Sequence, residues 1–438
     1  MSDFLVNFVN DDSGISTPKE NVGISFIDNA PSVSRSFGRN TVHPSPSKST
    51  AAKFYKKDDN LHVIFRYRGQ PEEEIIIQPI RKTNMIFLNK SVIFYGPSGS
   101  GKTTAIYNYM YIMFDIFPTV FIFAPTENQK GDFGKHVPAP LIFEEFGIKN
   151  IRDIYLRQKA ATSIYNNANN LKVLHGLFMR VANAKAKQFQ KKLVLLREKA
   201  KHQAASMYTD LGARKAKLEE IDDMFKYKLI RFYKRIIEPY TRRLKTQDLT
   251  KEEKFAIKYL NFNPRTLIVF DDATTELLEL IKEGKKKVKG EATKDGEIIK
   301  HFFFKGRWAN ITHWYAFHDD NKLDTDIRKN AFYSIFCDIQ VALAFFQRTA
   351  NNFTSIEKKR AETIINAVFD KKTAPEHAKL VYSRLEKKFY YLVADNVPED
   401  FQMCSHAVRK FCSQIVKKEG GMDMNNPFSK KFEEFINF

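Results

Sequence analysis

The stretch best suited to chemistry is a glycine-rich loop between an apolar run and a segment with helical periodicity. Residues 91–104 read SVIFYGPSGSGKTT, which is G-x-x-x-x-G-K-[ST] with a predicted strand before it and a predicted helix after it. Gly96, Gly99 and Gly101 leave room for backbone N–H groups to surround phosphate oxygens. The helix predicted from Lys102 to Phe114 directs its positive N-terminus at the same anion. The sequence therefore predicts a site for a nucleoside triphosphate.

The residues of this loop have different expected ligands. Lys102 is expected to reach the β- and γ-phosphates, and the Thr103 hydroxyl to bind Mg²⁺. We predict ATP and Mg²⁺ as the ligands, with a phosphate-binding set of nine consecutive residues: Gly96, Pro97, Ser98, Gly99, Ser100, Gly101, Lys102, Thr103 and Thr104. The alternative is a chance glycine-rich turn, which the flanking strand and helix make a minority case.

A second apolar run ends in two acids, since residues 264–272 read PRTLIVFDD. A buried strand with an acid at its C-terminal tip is typical of the magnesium site of P-loop proteins, so Asp271 is predicted as the metal-side carboxylate. Side chains alternate along a strand, so Asp272 is expected to point elsewhere, towards the attacking water as general base or orienting group. Two acids could also end a strand by chance. Paired acids favour hydrolysis coupled to movement over a simple nucleoside kinase.

Three further residues are candidates for the same chemistry. The run 311–317 reads ITHWYAF and is followed by His318. At the tip of a strand beside the metal-binding strand, a histidine can sense the γ-phosphate, although a surface histidine at a turn fits the spacing equally well. Arg307 and Arg328 are candidates for a positive charge supplied to the nucleotide of a neighbouring subunit. The ordinary alternative for both is a surface ion pair.

The pattern of elements predicts an α/β fold: a P-loop NTPase core, with a mostly parallel sheet flanked by helices, and a long basic α-helical insertion. The run Thr119–Ala124 is continuously apolar, as a strand covered on both faces requires. The predicted organisation is a disordered tail at 1–50, a β-hairpin lead-in at 51–82, core parts at 83–150 and 261–350, a helical insertion at 151–260, and a C-terminal helical segment at 351–438. In that last segment the run Phe389–Ala394 is predicted to complete the sheet edge.

Composition restricts the function classes. The chain has 438 residues and a formal net charge of +20, which implies a polyanionic partner, with nucleic acid the leading candidate. Cys337, Cys404 and Cys412 are too few for a disulfide framework and are expected to be reduced thiols in an intracellular setting. No run has the apolar length of a transmembrane helix, and the first residues lack the layout of a secretory signal.

Most of the excess positive charge lies in the predicted insertion. Residues 151–260 hold 26 Lys and Arg against 11 Asp and Glu. Residues 141–238 contain no proline, and apolar positions at steps of three, four and seven predict an antiparallel helical hairpin or a short coiled coil, with a break near Gly212. A solvated helical face is the usual explanation of such charge. We favour a phosphate-backbone contact surface because one cluster has few acids: Lys185, Lys187, Lys191, Lys192, Arg197, Lys199 and Lys201.

In this order the motifs resemble the viral genome-packaging ATPases of the FtsK/HerA superfamily, in particular the poxvirus-like ATPases of large double-stranded DNA viruses. The matching pieces cover residues 83–135 and 264–345, and the discriminating ones are KGR at 305–307, NIT at 310–312 and IRKN at 327–330. The resemblance implies that Asp271 is the Mg²⁺ carboxylate, that Asp272 replaces a common Glu, and that Arg307 acts on an adjacent subunit. His318 stands where these enzymes usually carry glutamine, and Trp308 where histidine is frequent.

From these residues and this resemblance we expect a DNA-packaging ATPase that forms a homo-oligomeric ring and translocates double-stranded DNA without sequence preference. Capsid or membrane-vertex proteins are further candidate partners, and the expected location is intracellular, in the host cytoplasm or viral factory, or with the virion. One alternative is a helicase or recombination-type P-loop ATPase. The other is a nucleotide-regulated DNA-binding assembly factor with little turnover, in which the basic helices are the functional part.

Overall fold

Two sheets contain the strands of the part of the chain that the structure describes. The computed structural model describes residues 54–419 except 58, 68, 84, 127–132, 208–210, 289–290 and 319–322. The strands are β1 (Phe54–Lys57), β2 (Asn60–Phe65), β3 (Glu73–Pro79), β4 (Ser91–Tyr95), β5 (Thr119–Phe123), β6 (Ile142–Phe143), β7 (Thr266–Asp271), β8 (Lys287–Val288), β9 (Glu291–Ala292), β10 (Ile311–Phe317), β11 (Tyr333–Phe336), β12 (Lys379–Ser383) and β13 (Lys388–Leu392).

The larger sheet has the strand order β1-β2-β3-β13-β12-β11-β4-β10-β7-β5-β6, and β8 pairs with β9 separately. Six neighbouring strands, from β11 to β6, are parallel to one another. In the other half, β12 is antiparallel to β11 and β13, while β3 and β13 are parallel. The sheet is therefore mixed and mostly parallel in its core, and the predicted α/β class is confirmed.

The parallel strands end together at one edge of the sheet, called here the carboxyl edge. The register pairs Tyr95 with Phe317 and with Phe336, and Ala316 with Asp271. Just behind that edge three aromatic rings stack across adjacent strands: Phe123 on Phe270 at 4.8 Å and Phe270 on Tyr315 at 5.3 Å. Such cross-strand stacks add to the burial energy of the rings, so they hold β5, β7 and β10 in register beneath the residues that follow.

Helices cover the sheet and form the insertion. They are α1 (Lys102–Ile112), α2 (Ile148–Ala168), α3 (Leu171–Val181), α4 (Ala184–Met207), α5 (Leu211–Ile237), α6 (Thr241–Leu244), α7 (Lys251–Lys258), α8 (Thr274–Gly284), α9 (Lys294–Lys305), α10 (Thr325–Asn330), α11 (Ile339–Gln347), α12 (Ser355–Val368) and α13 (His406–Glu419). In the described ranges, none of these helices has the length and apolar character needed to cross a membrane.

The insertion has its own hydrophobic core. Helices α4 and α5 run antiparallel, as the pairs Gln190–Tyr233 and Arg197–Asp222 show. Leu193, Tyr233 and Ile237 belong to a buried cluster that α3 and α7 complete. The predicted hairpin is thus present, and the predicted break near Gly212 falls close to residues 208–210, which lie outside the described residues, between α4 and α5.

Helix α2 anchors the insertion to the sheet at the edge where the parallel strands begin. The Gln158 amide donates to the Pro264 carbonyl, and Oε1 of Gln158 accepts from Oγ1 of Thr266 at 2.9 Å. Farther along α2, Nδ2 of Asn310 donates to Oγ1 of Thr162 at 3.0 Å. These bonds attach α2 to the starts of β7 and β10, because Thr266 opens β7 and Asn310 directly precedes β10.

Two predictions about the sheet need correction, and one lies outside the described residues. The segment Phe389–Ala394 does not complete an edge, because β13 lies between β12 and β3. The lead-in hairpin contains a third strand, β1, and β3 joins the main sheet through Tyr390–Gln78 and Tyr391–Pro79. A single apolar run could not indicate a partner about 300 residues away in the sequence. The predicted disordered tail at 1–50 lies outside the described residues.

Candidate nucleotide-binding site

The glycine-rich loop lies at the carboxyl edge between β4 and α1, as its sequence context predicts. Gly99 and Gly101 have φ angles of 78° and 85°, in the left-handed region that favours glycine. A Cβ on Gly96 would lie 2.4 Å from Oγ of Ser100 and 3.1 Å from Cβ of Cys337, so a side chain there has no room. The Gly96 N–H donates to the Phe317 carbonyl at 3.1 Å, which attaches the loop to β10.

The first turn of α1 presents backbone N–H groups at the loop. Gly101 is its N-cap, and no side chain caps it, so the first N–H groups of the helix have no intrahelical acceptor. Nζ of Lys102 donates to the Gly96 carbonyl at 2.6 Å and to the Pro97 carbonyl at 3.0 Å, so the side chain folds over the loop. Lys102 is 9% exposed. Oγ of Ser100 is also buried, with no hydrogen-bond partner among the described residues.

The two acids and the histidine lie at the same edge as the loop. Asp271 ends β7 and is 5% exposed, and β10 alone separates β7 from the loop strand β4. Asp272 has a φ of +53°, so the chain turns out of the strand there, and this turn rather than strand alternation separates the two acids. Oδ1 of Asp272 lies 2.8 Å from Nε2 of His318. The structure therefore joins two residues that the sequence suggested independently.

The two candidate arginines lie in different environments. Arg307 is exposed, and its guanidinium lies 5.0 Å from the Trp308 ring and 5.6 Å from the Phe332 ring. Trp308 is 72% exposed. Arg328 is only 5% exposed, and its Nη2 donates to Oγ1 of Thr325 at 3.3 Å, one turn back in α10. Of the two, Arg307 is the one whose side chain is accessible to another molecule.

The structure also brings two residues to the loop that the sequence reasoning missed. Cys337 follows β11, and its N–H donates to the Tyr95 carbonyl at 2.8 Å. Burial raises the pKa of the Cys337 thiol to about 11, although the charges of Lys379 and Lys102 act in the opposite direction. Lys379 opens β12 and is 6% exposed. Cys337, Cys404 and Cys412 are free thiols.

The donor set fits a magnesium ion that is completed by phosphate oxygens. Within the described ranges there is no group of three His, Cys, Asp or Glu side chains that could hold a metal alone. Mg²⁺ bound with nucleotides usually takes one or two protein oxygens, phosphate oxygens and waters. Thr103, in the first turn of α1, and the buried Asp271 would supply those protein oxygens.

The basic cluster of the insertion is partly neutralised within the molecule. Nε of Arg197 and Nζ of Lys201 both bind Asp222, at 2.8 and 3.0 Å. Three lysines of α4 are exposed and seven residues apart, and they are called here the α4 stripe: Lys185, Lys192 and Lys199. That spacing places them on one face of the helix, about 10 Å apart.

A strand, a G-x-x-x-x-G-K-T loop and a helix N-terminus, with an acid ending a nearby parallel strand, form the arrangement found in P-loop NTPase folds. The sequence is similar to viral proteins. It is 29% identical over 371 residues to "Uncharacterized protein B354L" of African swine fever virus (isolate Pig/Kenya/KEN-50/1950), which covers 80% of this chain and 94% of the relative. It is 32% identical over 76 residues to "Uncharacterized protein 088R" of Invertebrate iridescent virus 3, covering 17% of this chain and 29% of the relative. No family model matches the chain.

Two solved structures share part of the fold at low sequence identity. The genome packaging NTPase B204 from Sulfolobus turreted icosahedral virus 2, in complex with sulfate, overlays with a TM-score of 0.30 and 10% identity, covering 72% of this chain and 98% of that one. The pCW3 conjugation coupling protein TcpA gives a TM-score of 0.31 and 11% identity, covering 83% of this chain and 71% of that one.

Proposed function

We propose that this protein is an ATP-hydrolysing motor that acts as a ring of identical subunits and moves double-stranded DNA into a viral capsid. The observation that supports this proposal best is the meeting of three features at the carboxyl edge: the glycine-rich loop, Asp271, and the Asp272–His318 pair. The sequence resemblance to viral packaging ATPases, which rests on residues 305–312 and 327–330, supports the choice of DNA as the substrate moved.

The loop residues hold the triphosphate. Backbone N–H groups of Gly99–Thr104 and the N-terminus of α1 surround its phosphate oxygens, and Lys102 leaves the loop carbonyls to contact the β- and γ-phosphates. Thr103 and Asp271 would hold Mg²⁺. When bound, that ion supplies positive charge that offsets the charge developing on the phosphates.

The Asp272–His318 pair orients and activates the attacking water. Asp272 accepts a hydrogen bond from the water and takes its proton as the water oxygen bonds to the γ-phosphorus. The bond between that phosphorus and the β–γ bridging oxygen breaks at the same time, and ADP is the leaving group. His318 fixes the carboxylate of Asp272 through the 2.8 Å contact. Since β10 lies between β4 and β7, His318 lies next to the γ-phosphate end of the phosphate chain. It connects the presence or absence of the γ-phosphate to the position of Asp272.

Arg307 acts on the nucleotide of the next subunit. It precedes β10, whereas the loop of its own subunit lies beyond the other end of that strand. A strand of seven residues spans about 20 Å, which an arginine side chain cannot cross. Arg307 is therefore assigned to a neighbouring site, where its guanidinium stabilises the transferred phosphoryl group. The burial of Arg328 makes it the weaker candidate for this role.

The α4 stripe is the proposed contact with duplex DNA. Its lysines are exposed, whereas Arg197 and Lys201 already neutralise Asp222. Contacts between lysines and phosphates carry no sequence information, so binding should be independent of sequence and weaken steeply with salt.

One assay tests the proposal and separates it from its alternatives. The ATPase rate of the full chain is measured with no DNA, with duplex DNA and with single-stranded DNA, while light scattering gives the particle size. The motor requires stimulation by duplex DNA in a particle larger than one chain. A clear preference for single strands would favour the helicase class, and DNA binding with negligible turnover would favour the assembly factor.

The variant Asp272→Asn tests the assignment of Asp272 to the attacking water. It should keep nucleotide affinity, because Asp272 is assigned to water rather than to phosphate, and lower kcat by about 10²- to 10⁴-fold. Asp326→Asn is the control, since that exposed acid lies outside the site and should leave both quantities unchanged. Full turnover by Asp272→Asn would contradict the assignment.

A further inference from the structure

A second lysine lies against the phosphate loop. Lys379 is the first residue of β12, which pairs antiparallel with β11, and β11 lies beside the loop strand β4. A Cβ on Gly101 would lie 3.2 Å from Nζ of Lys379 and 3.4 Å from its Cε. The amine therefore rests on the backbone that leads into Lys102 and α1.

The charge on Lys379 has little compensation in the protein. The residue is 6% exposed, and its Nζ donates to the His377 carbonyl at 3.3 Å, a long contact. In the described ranges it forms no salt bridge, and its charge and that of Lys102 both act on the Cys337 thiol. A buried ammonium without an anionic partner is costly. Two lysines beside one nest of N–H groups are explained if a polyanion binds there.

Strand order locates Lys379 along the phosphate chain. Asp271 and the Asp272–His318 pair follow β7 and β10, on one side of β4, whereas β11 and β12 lie on its other side. If the acids mark the γ-phosphate and metal end, Lys379 faces the opposite, nucleoside end. That end, the α- and β-phosphates, is common to ATP and ADP.

We propose that Lys379 binds the α–β part of the phosphate chain, as a second phosphate-binding lysine beside Lys102. This inference rests on the proposed nucleotide site and adds a residue that discriminates little between the di- and triphosphate. Lys379 thus contributes to holding ADP after hydrolysis, whereas Lys102 and the acids act at the γ-phosphate.

The test is calorimetric titration of the full chain with Mg·ADP and with Mg·ATPγS. Lys379→Met keeps the aliphatic stem and removes the charge, so one charge-assisted hydrogen bond is lost. The dissociation constants for both nucleotides should rise about 10- to 100-fold and by the same factor. With saturating ATP, kcat should stay within about twofold of wild type, and the weaker binding should appear as a higher KM for ATP. Lys388→Met, at an exposed position of β13, is the matched control and should leave both affinities unchanged.

Each outcome decides a different point. Unchanged affinities in Lys379→Met overturn the inference, and a loss confined to ATPγS overturns the placement at the α–β end. If wild type binds neither nucleotide, the proposed function itself fails. Should Lys379→Met not fold, acylation of wild-type lysines followed by mass spectrometry gives the answer: ADP must slow the modification of Lys379 and not that of Lys388, and equal rates with and without ADP refute the proposal.

Discussion

The opposite placement of Arg307 and the phosphate loop predicts complementation between two inactive variants. Within one subunit about 20 Å of strand separates them, which exceeds the screening length of about 8–10 Å at physiological salt. Arg307 should therefore contribute nothing to its own nucleotide. In the proposed ring Arg307→Ala should lower kcat by about 10³-fold or more, the effect of removing an arginine supplied between subunits.

The assay mixes Arg307→Ala subunits with Lys102→Ala subunits in equal amounts. A site is intact when an Arg307→Ala subunit, with a normal loop, lies next to a Lys102→Ala subunit, with a normal arginine. Random assembly makes about one quarter of the interfaces of this kind, so the DNA-stimulated ATPase rate should recover to about a quarter of wild type for sites that act independently.

The matched control mixes Lys102→Ala with Asp272→Asn. Both residues belong to the same carboxyl edge of one subunit, so no subunit in this mixture has a complete site and no recovery is expected. Affinity tags of two kinds show by co-purification that mixed particles form. If the Arg307→Ala and Lys102→Ala mixture stays inactive in such particles, the assignment of Arg307 to a neighbouring site is wrong.

Three further predictions concern the loop, the insertion and its pH dependence. Gly101→Ala places a side chain at a φ of 85° and 3.2 Å from the Lys379 amine, so the free energy of unfolding measured with urea should fall by about 1–2 kcal/mol; unchanged stability would contradict this. Replacing the α4 stripe by alanines should reduce the slope of log K for duplex DNA against log salt by about 2.7, whereas Lys371→Ala with Lys372→Ala should not change it. Burial, with Arg265 nearby, lowers the pKa of Lys234 to about 8, below its unfolded value, so folding is penalised fully below pH 8 and the penalty disappears as pH rises towards 10.5. Lys234→Met should therefore be more stable than wild type at pH 7 and lose that advantage by pH 10; an advantage independent of pH would refute this.

The sequence was sufficient for those parts of the site that neighbouring residues specify. The loop could be predicted because glycine spacing, Lys102 and the flanking strand are all local. The run Ile311–Phe317 matches β10 because strands buried on both faces are continuously apolar. Asp271 could be placed at a strand tip by the same reasoning.

What the sequence did not predict depends on strand order and on backbone turns. β11 and β12 were not predicted because they are short, with four and five residues. In addition, Ser334 in β11 and Ser383 in β12 weaken the apolar pattern of these strands. Without β12, Lys379 resembles any surface lysine. The contact between Asp272 and His318 requires β10 to lie beside β7 and Asp272 to adopt a left-handed turn, and no local pattern specifies either.

The anchoring of α2 has a mechanical consequence. β7 and β10 end at the carboxylates and the histidine. At their other ends, Thr266 opens β7 and Asn310 directly precedes β10, and these two residues bind Gln158 and Thr162 of α2. Extended strands within a hydrogen-bonded sheet resist stretching, so β7 and β10 transmit a displacement along their axes from one end to the other. A displacement along their axes at the carboxyl edge should therefore move α2, which attaches the insertion to the opposite edge of the sheet.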